Sequence, residues 1–397
     1  MWARKRIDIS WGDLFRGAVY VFSWRSRDAV QTATELAFSM DGDAIACLTE
    51  RSGFDLLLGA QAFPHGSELL ISAVTIDDMV RVIRKHGLVP VPVDVNPADM
   101  SPRLDLLEAA RTPQTRAVLI AHLYGGRLDL QPVVDWARQH DVQIWEDCAQ
   151  TFEGDRYLGH SATNVVLFSM GPIKTATSLG GRILVVRDRA VLGRMRQRQA
   201  EYPQQSRVAF LLRVAKYATI KVISKWLVFG ILVRVCRLLG QDYDRVINGA
   251  VRNIPGDDLF AGLRQQPSVP LLRLMARRLR SCSPTLLARR AQKGRLLANL
   301  VRDRFTCPGA DAPHHSFWVF PICIPHGTHG IAHLRDAGFD ATTGSALQAV
   351  DPPDNRLDLT PTTAREMVSS TMFIPVYPEM PEAEVRRLGE TILQLPN

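Results

Sequence analysis

An aspartate and a lysine, set 27 residues apart, carry the chemistry of this sequence. Asp147 ends the apolar run QIWED, and Lys174 follows inside FSMGPIKTATSLGG, flanked by Gly, Pro and Thr rather than by other charges. A lysine in a water-poor pocket loses its proton more readily and can attack an aldehyde. A carboxylate facing a pyridine nitrogen keeps that ring protonated and able to accept electrons. In this order the pair fits a pyridoxal phosphate site. Lys174 would form the Schiff base and then move protons as general base and acid. Asp147 would hold the ring nitrogen.

The phosphate of such a cofactor needs donors. Arg51-Ser52-Gly53 follows a short apolar run and opens a helix, which aims free backbone N–H groups at an anion. Ser52 and Gly53 are therefore candidate phosphate residues, although Ser52 taken alone is equally well an N-cap. Ser169, just before the lysine loop, is a further hydroxyl donor. Gln150 lies three residues past Asp147, one helical turn on, and can reach the face or the phenolic oxygen of the cofactor. Its alternative is a solvated polar position. The six cysteines show no CxxC and no His/Cys spacing for a metal, so they read as buried, reduced thiols and no metal site is expected.

These residues need a scaffold that places strand ends together. From about residue 43, short β-branched runs alternate with helical patterns. Strands are expected at 44–48, 69–74, 89–95, 117–122, 142–145, 165–169 and 182–186, with helices at 54–62, 77–86, 104–110 and 131–140. That rhythm implies an α/β fold on a mainly parallel sheet covered on both faces, with ligands beyond the carboxyl ends of its strands. From about 315 the pattern turns to α+β. Strands are expected at 317–323 and 372–375, with helices at 330–337 and 381–395. The organisation expected is an entry segment (1–42), a large cofactor-binding domain (43–206), a helical insertion (207–250), helices linking back (251–300) and a small α+β domain (301–397). Trp11, Phe15 and Phe22 are expected to pack the entry segment onto the body.

A hydrophobic fraction of 46% in 397 residues fits a globular chain, and a net charge of +8 favours anionic partners. Residues 207–240 hold seven Lys or Arg and no acid against a dense apolar background. Two helices joined near Gly230 fit this segment better than one. It can be core packing within a dimer, a cover over a greasy substrate, or an anchor on an anionic membrane surface. Nucleic acid is not expected, since Val, Ile and Leu outnumber the cations and no recognition module appears. The basic N-terminus lacks the apolar stretch of a signal peptide, and no uncharged run approaches the ~20 residues that span a bilayer. A cytoplasmic protein is expected, with peripheral membrane attachment as one reading of 207–240.

Several blocks together resemble the DegT/StrS-type sugar aminotransferases of the fold type I pyridoxal phosphate enzymes. They are HGSELLISAVTIDDMVRVIRKHGLVPVPVDVNP, IAHLYGGRLDL, IWEDCAQTFEG, FSMGPIKTATSLGG, HSFWVFPICIP and MFIPVYPEMPEAEV. The resemblance implies a large domain on a seven-stranded-type sheet with a smaller C-terminal α+β domain. It also implies a homodimer with the site at the subunit interface, and transamination from an amino acid, usually glutamate, to a nucleotide-linked keto sugar. A lipid-linked or hydrophobic keto acceptor is the variant that the insertion suggests. Family dehydratases carry histidine in place of the lysine, so Lys174 favours transamination over dehydration or decarboxylation. A membrane-bound scaffold without catalysis is the remaining alternative. The chain departs from the family pattern in three places. Ser178-Leu179-Gly180-Gly181 lacks the usual glutamate, Ile76 stands where an aromatic residue usually follows a threonine, and the Asn-Tyr-Arg segment has no clear match.

Overall fold

A computed structural model describes residues 1–3, 7–154, 157–239, 262–324, 327–344 and 346–395. The chain opens with α1 (Trp11–Val19) and α2 (Arg27–Phe38), then enters β1 (Ala44–Cys47), α3 (Glu50–Gln61), β2 (Glu68–Ser72), β3 (Val74–Ile76), α4 (Asp77–Lys85) and β4 (Val89–Val93). Next come α5 (Leu104–Ala110), β5 (Thr115–Ala121), β6 (Gly126–Arg127), α6 (Gln131–His140), β7 (Gln143–Asp147), β8 (Val165–Ser169) and β9 (Arg182–Val186). Then α7 (Arg189–Ala200), α8 (Arg207–Ile223) and α9 (Trp226–Leu238) precede α10 (Val269–Arg280) and α11 (Pro284–Val301). The remainder is β10 (His314–His315), β11 (Phe320–Cys323), α12 (Gly327–Asp336), β12 (Thr342–Thr343), β13 (Leu347–Ala349), α13 (Thr362–Ser370), β14 (Thr371–Ile374) and α14 (Glu382–Leu393).

Seven strands form the large sheet in the order β1-β9-β8-β7-β5-β2-β4. The pairs from β8 to β4 are parallel, and β9 runs antiparallel to both neighbours. Short apolar strands buried on both faces suit this arrangement. One apolar cluster joins β1, β2 and β7 to α3, α4 and α7, and a second joins β1, β8 and β9 to α8, α10 and the N-terminal segment. A three-stranded sheet, β11-β14-β12, packs with α11 and α14 around its own cluster, which includes Phe317, Phe320, Met372 and Leu388.

Three expectations need correction. α3 starts four residues before the expected helix, because Thr49 and Ser52 form a capping box that begins it at Glu50. The break in the basic segment falls at Ser224-Lys225, where α8 ends, and Gly230 lies inside α9. Trp11, Phe15 and Phe22 do not pack inward. They are 46%, 71% and 73% exposed, while Leu14 and Gly17 make the buried face of α1. Residues 240–261, including the end of the expected insertion, lie outside the described residues.

Candidate active site

The parallel strands end on one edge of the sheet. There β7 delivers Asp147, β8 delivers Ser169, and β9 returns with Arg182 paired to Ser169. The twelve residues between β8 and β9 form the lysine loop. It folds on the Met170 carbonyl, which accepts from Ser178 N (3.1 Å), Gly180 N (3.2 Å) and Thr177 Oγ1 (3.2 Å). Gly181, at φ 91°, donates to Leu48 O at 2.8 Å and leads directly into β9. This turn of backbone needs left-handed residues, and Ala176 and Leu179 also have positive φ.

The loop is braced from two sides. Asp8 Oδ2 accepts from Ala176 N at 2.7 Å, and Arg278 donates to both Asp8 O (2.6 Å) and Thr177 O (3.1 Å). On the other side Trp318 Nε1 donates to Ile173 O at 2.9 Å, and Arg290 reaches Thr175 Oγ1 at 3.4 Å. Lys174 Nζ lies 4.2 Å from the centre of the Trp318 ring, a cation–π contact. Asp8→Ala should therefore loosen the loop by leaving Ala176 N without its acceptor. We expect a loss of about 1–2 kcal/mol in urea unfolding and faster proteolytic cleavage within 171–181. Unchanged cleavage would show that the brace is not needed.

Lys174 has its pKa lowered. Loss of water around the amine is the main cause, Glu50 and Asp147 oppose it, and Arg182 adds to it. Burial raises the Asp147 carboxyl, against the pull of Arg182. The fully buried Arg182 crosses β8 to place Nη2 3.3 Å from Asp147 Oδ1, while Nη1 donates to Glu50 O at 3.0 Å. Its Nε is buried without a hydrogen-bond partner. Asp147 also accepts from Ala149 N at 3.0 Å and lines a hollow with Ser72, Thr75, Met79 and Ala121. The edge thus carries an amine whose pKa is lowered, a carboxylate that lines a hollow, and a paired arginine and glutamate.

The other expected residues stand as follows. Ser169 is buried beside the lysine loop and accepts weakly from Gly171 N at 3.4 Å. Gln150 directs its Oε1 to Tyr124 N at 2.7 Å, which holds the Tyr124-Gly125 turn. That turn accepts Ser316 N at 2.9 Å and lies so close to Trp318 N that a Cβ on Gly125 would come within 2.6 Å. Gln150 thus acts on the backbone that seats Trp318. The Ser52 hydroxyl accepts from Thr49 N and donates to Thr49 O within the capping box. Gly53 faces Leu184, where a Cβ would come within 2.7 Å. The same Cβ would come within 3.2 Å of Arg182 Cδ, so the first turn of α3 packs against the arginine of this edge. Arg264 binds Asp55, and Gln266 binds the carbonyls of Ala200 and Tyr202.

Sequence reading missed Glu50, Arg182, Trp318 and the Asp8–Arg278 brace. A lone cation opening the buried run RILVV was the available signal for Arg182. Nothing local marked Trp318 as a partner of a residue 144 positions away. A buried cluster of His122, Glu146 and Cys148 has metal-ligand chemistry. However, His122 Nδ1 accepts from Leu128 N and its Nε2 meets Glu146, so neither nitrogen offers a free lone pair.

The chain is similar to known proteins in sequence and in fold. Residues 35–206 match the DegT/DnrJ/EryC1/StrS aminotransferase family. The chain is 34% identical over 182 residues to the erythromycin biosynthesis sensory transduction protein EryC1 of Saccharopolyspora erythraea, covering 44% of this chain and 49% of that one. It is 31% identical over 159 residues to GDP-perosamine synthase of Caulobacter vibrioides, covering 38% and 42%. The chain spans about half the length, or less, of the curated relatives it matches. Helicobacter pylori PseC, an aminotransferase involved in the biosynthesis of pseudoaminic acid, superposes with a TM-score of 0.72 at 14% identity over 99% of this chain and 98% of that one. The likeness to PseC is one of fold, and the architecture is fold type I. The likeness to the DegT/DnrJ/EryC1/StrS aminotransferase family is carried by residues 35–206.

Proposed function

We propose that the chain is a pyridoxal phosphate-dependent aminotransferase. The observation that carries this reading is the meeting of Lys174 and Asp147 at one sheet edge, where loss of water lowers the lysine pKa. The cofactor fits the residues present. The hollow at Asp147 offers a carboxylate to a ring nitrogen, and Ser169 and the orphaned Arg182 Nε offer donors to an anion. Glu50, in the first turn of α3, adds a second carboxylate to the edge, 3.8 Å from Arg182. When bound, pyridoxal phosphate supplies an aldehyde carbon and an electron-withdrawing ring.

The chain's own groups do the rest. Lys174, its pKa lowered by loss of water, would hold the aldehyde carbon and would move a proton at Nζ. Asp147, oriented by Ala149 N and Arg182, would face the ring nitrogen and favour its positive charge. Trp318 covers the amine and limits water at it. In this reading residues 43–206 bind the cofactor, and 301–397 form the smaller domain. Glutamate is the donor, and a nucleotide-linked keto sugar is the acceptor, which the likeness to GDP-perosamine synthase supports. The enzyme is a homodimer on the cytoplasmic side. Residues 207–240 bring it to an anionic membrane surface, where a lipid-linked acceptor is the variant substrate.

The test is a half-reaction. Loaded protein given glutamate alone should release about one equivalent of 2-oxoglutarate per site and no carbon dioxide. Asp147→Asn should slow that release on the order of 10²–10⁴-fold, because the ring nitrogen loses its counter-charge. Carbon dioxide would assign decarboxylation, and no product from any amino acid would favour a scaffold.

A further inference from the structure

The basic apolar segment buries only part of itself within the chain. α8 turns Phe210, Val214 and Tyr217 inward. At Gly17 of α1 a Cβ would lie 3.5 Å from Val214, so the two helices approach closely. The outward side of α8 is a second stripe, Val208, Leu212, Ala215, Thr219 and Val222, spaced by four and three residues. Leu212 is 66% exposed. α1 presents Trp11, Phe15 and Val19 outward, four apart, and Phe22 and Trp24 continue beyond it, with Trp24 98% exposed. Arg207 fastens the two parts by donating to Val21 O (2.9 Å) and Ser23 O (2.7 Å). Lys221 Nζ stands 5.9 Å from the Trp11 ring.

Charge decides what can lie on this face. Arg16 and Lys225 are exposed, and Lys216 and Lys221 are half-buried. Asp13, the acid of α1, points inward onto Arg277 (2.5 Å) and Arg278 (2.9 Å). Residues 202–241 contain no acid at all. A second copy docked on the same patch by twofold symmetry would set cations against cations. A bilayer with anionic headgroups offers apolar depth and negative charge together, and tryptophan favours that boundary. Among the described residues no helix is long and apolar enough to cross a membrane, so the contact would lie along the surface.

We propose that the aromatic residues of 11–24 and the outward stripe of α8 form one face that lies on an anionic lipid surface. Attachment through 207–240, part of the proposed function, is the premise, and the N-terminal aromatics are the addition. Full-length loaded protein, sedimented with vesicles, should bind phosphatidylcholine containing phosphatidylglycerol and ignore phosphatidylcholine alone. Binding should weaken as salt rises. Phe15→Ser/Phe22→Ser/Trp24→Ser should lower the bound fraction at least about tenfold. Trp24→Ser alone, at a side chain almost wholly in solvent, tests the same point without a burden on folding. Wild-type protein that ignores anionic vesicles overturns the proposal, and so does a triple variant that binds as wild type. A triple variant that loses mass by light scattering as a dimer would assign the face to a second copy and overturn it too. Release of 2-oxoglutarate from glutamate is read separately, so a failure on vesicles leaves the reaction at Lys174 standing.

Discussion

Lys174→Ala should abolish turnover, lowering the rate of amino transfer on the order of 10³-fold or more, because one side chain both holds the cofactor and moves the proton. Borohydride reduction of the loaded wild-type protein followed by peptide mapping should place the tag at residue 174. A tag elsewhere would remove the assignment of this edge as the active site. The chemistry also has a pH signature. Loss of water, the leading influence on Lys174, pushes its pKa down, so the neutral amine is available below the ordinary lysine range. Reaction of the unloaded protein with an aldehyde at this position should accordingly have its half-point at lower pH than reaction at surface lysines. Coincident profiles would mean that the amine is as wet as the others. Lys174→Arg keeps the positive charge but gives a group that does not lose its proton, so it should fail as fully as alanine.

The largest effect on stability should come from Glu146→Ala. This carboxylate is wholly buried next to Asp147 and accepts from His122 Nε2 (3.0 Å), Tyr157 Oη (2.6 Å), His160 N (2.6 Å) and Thr163 Oγ1 (2.8 Å). Burial alone would raise its pKa, but the bonds from His122, Tyr157 and Thr163 overcome that and hold it at about 2. Removing the acceptor strands these donors in a dry site, at a cost of about 3–5 kcal/mol in urea unfolding. The carboxylate pKa is depressed in the folded state, so its contribution is complete above about 4.5 and is lost as pH falls toward about 2. Glu146→Gln should flatten the fall in stability across that window, and an unchanged acid slope would show that other carboxylates control it.

The positions of Asp147 and Lys174, the pair proposed for catalysis, were legible because each sits at an element boundary that local pattern reveals: Asp147 at a strand end, Lys174 in a loop of small residues. Parallel strands then force such ends together, whatever lies between them. Ser52 and Gly53 open α3 as the pattern implied, and the structure adds the capping box between Ser52 and Thr49, which the sequence reading did not give. Gln150, read from the sequence as a cofactor contact, has its amide oxygen bonded to the Tyr124 backbone, a partner that no local spacing announced. The residues that the sequence hid arrive from far along the chain. Asp8, Arg278 and Trp318 meet the lysine loop from three separate segments, and no spacing rule links them. The exposed aromatics of α1 misled for a related reason: a large apolar side chain normally goes inward, and only the packing of Leu14 and Gly17 shows which side of the helix is taken.

Because β8 and β9 are hydrogen-bonded neighbours, the two ends of the lysine loop are stitched side by side. The reactive amine is therefore mounted on the sheet itself. Trp318 and Arg290, by contrast, belong to segments far along the chain that lead into and out of the second core. Both are bonded to the loop, Trp318 Nε1 at Ile173 O and Arg290 at Thr175 Oγ1, so the second core is tied to the backbone that carries the lysine.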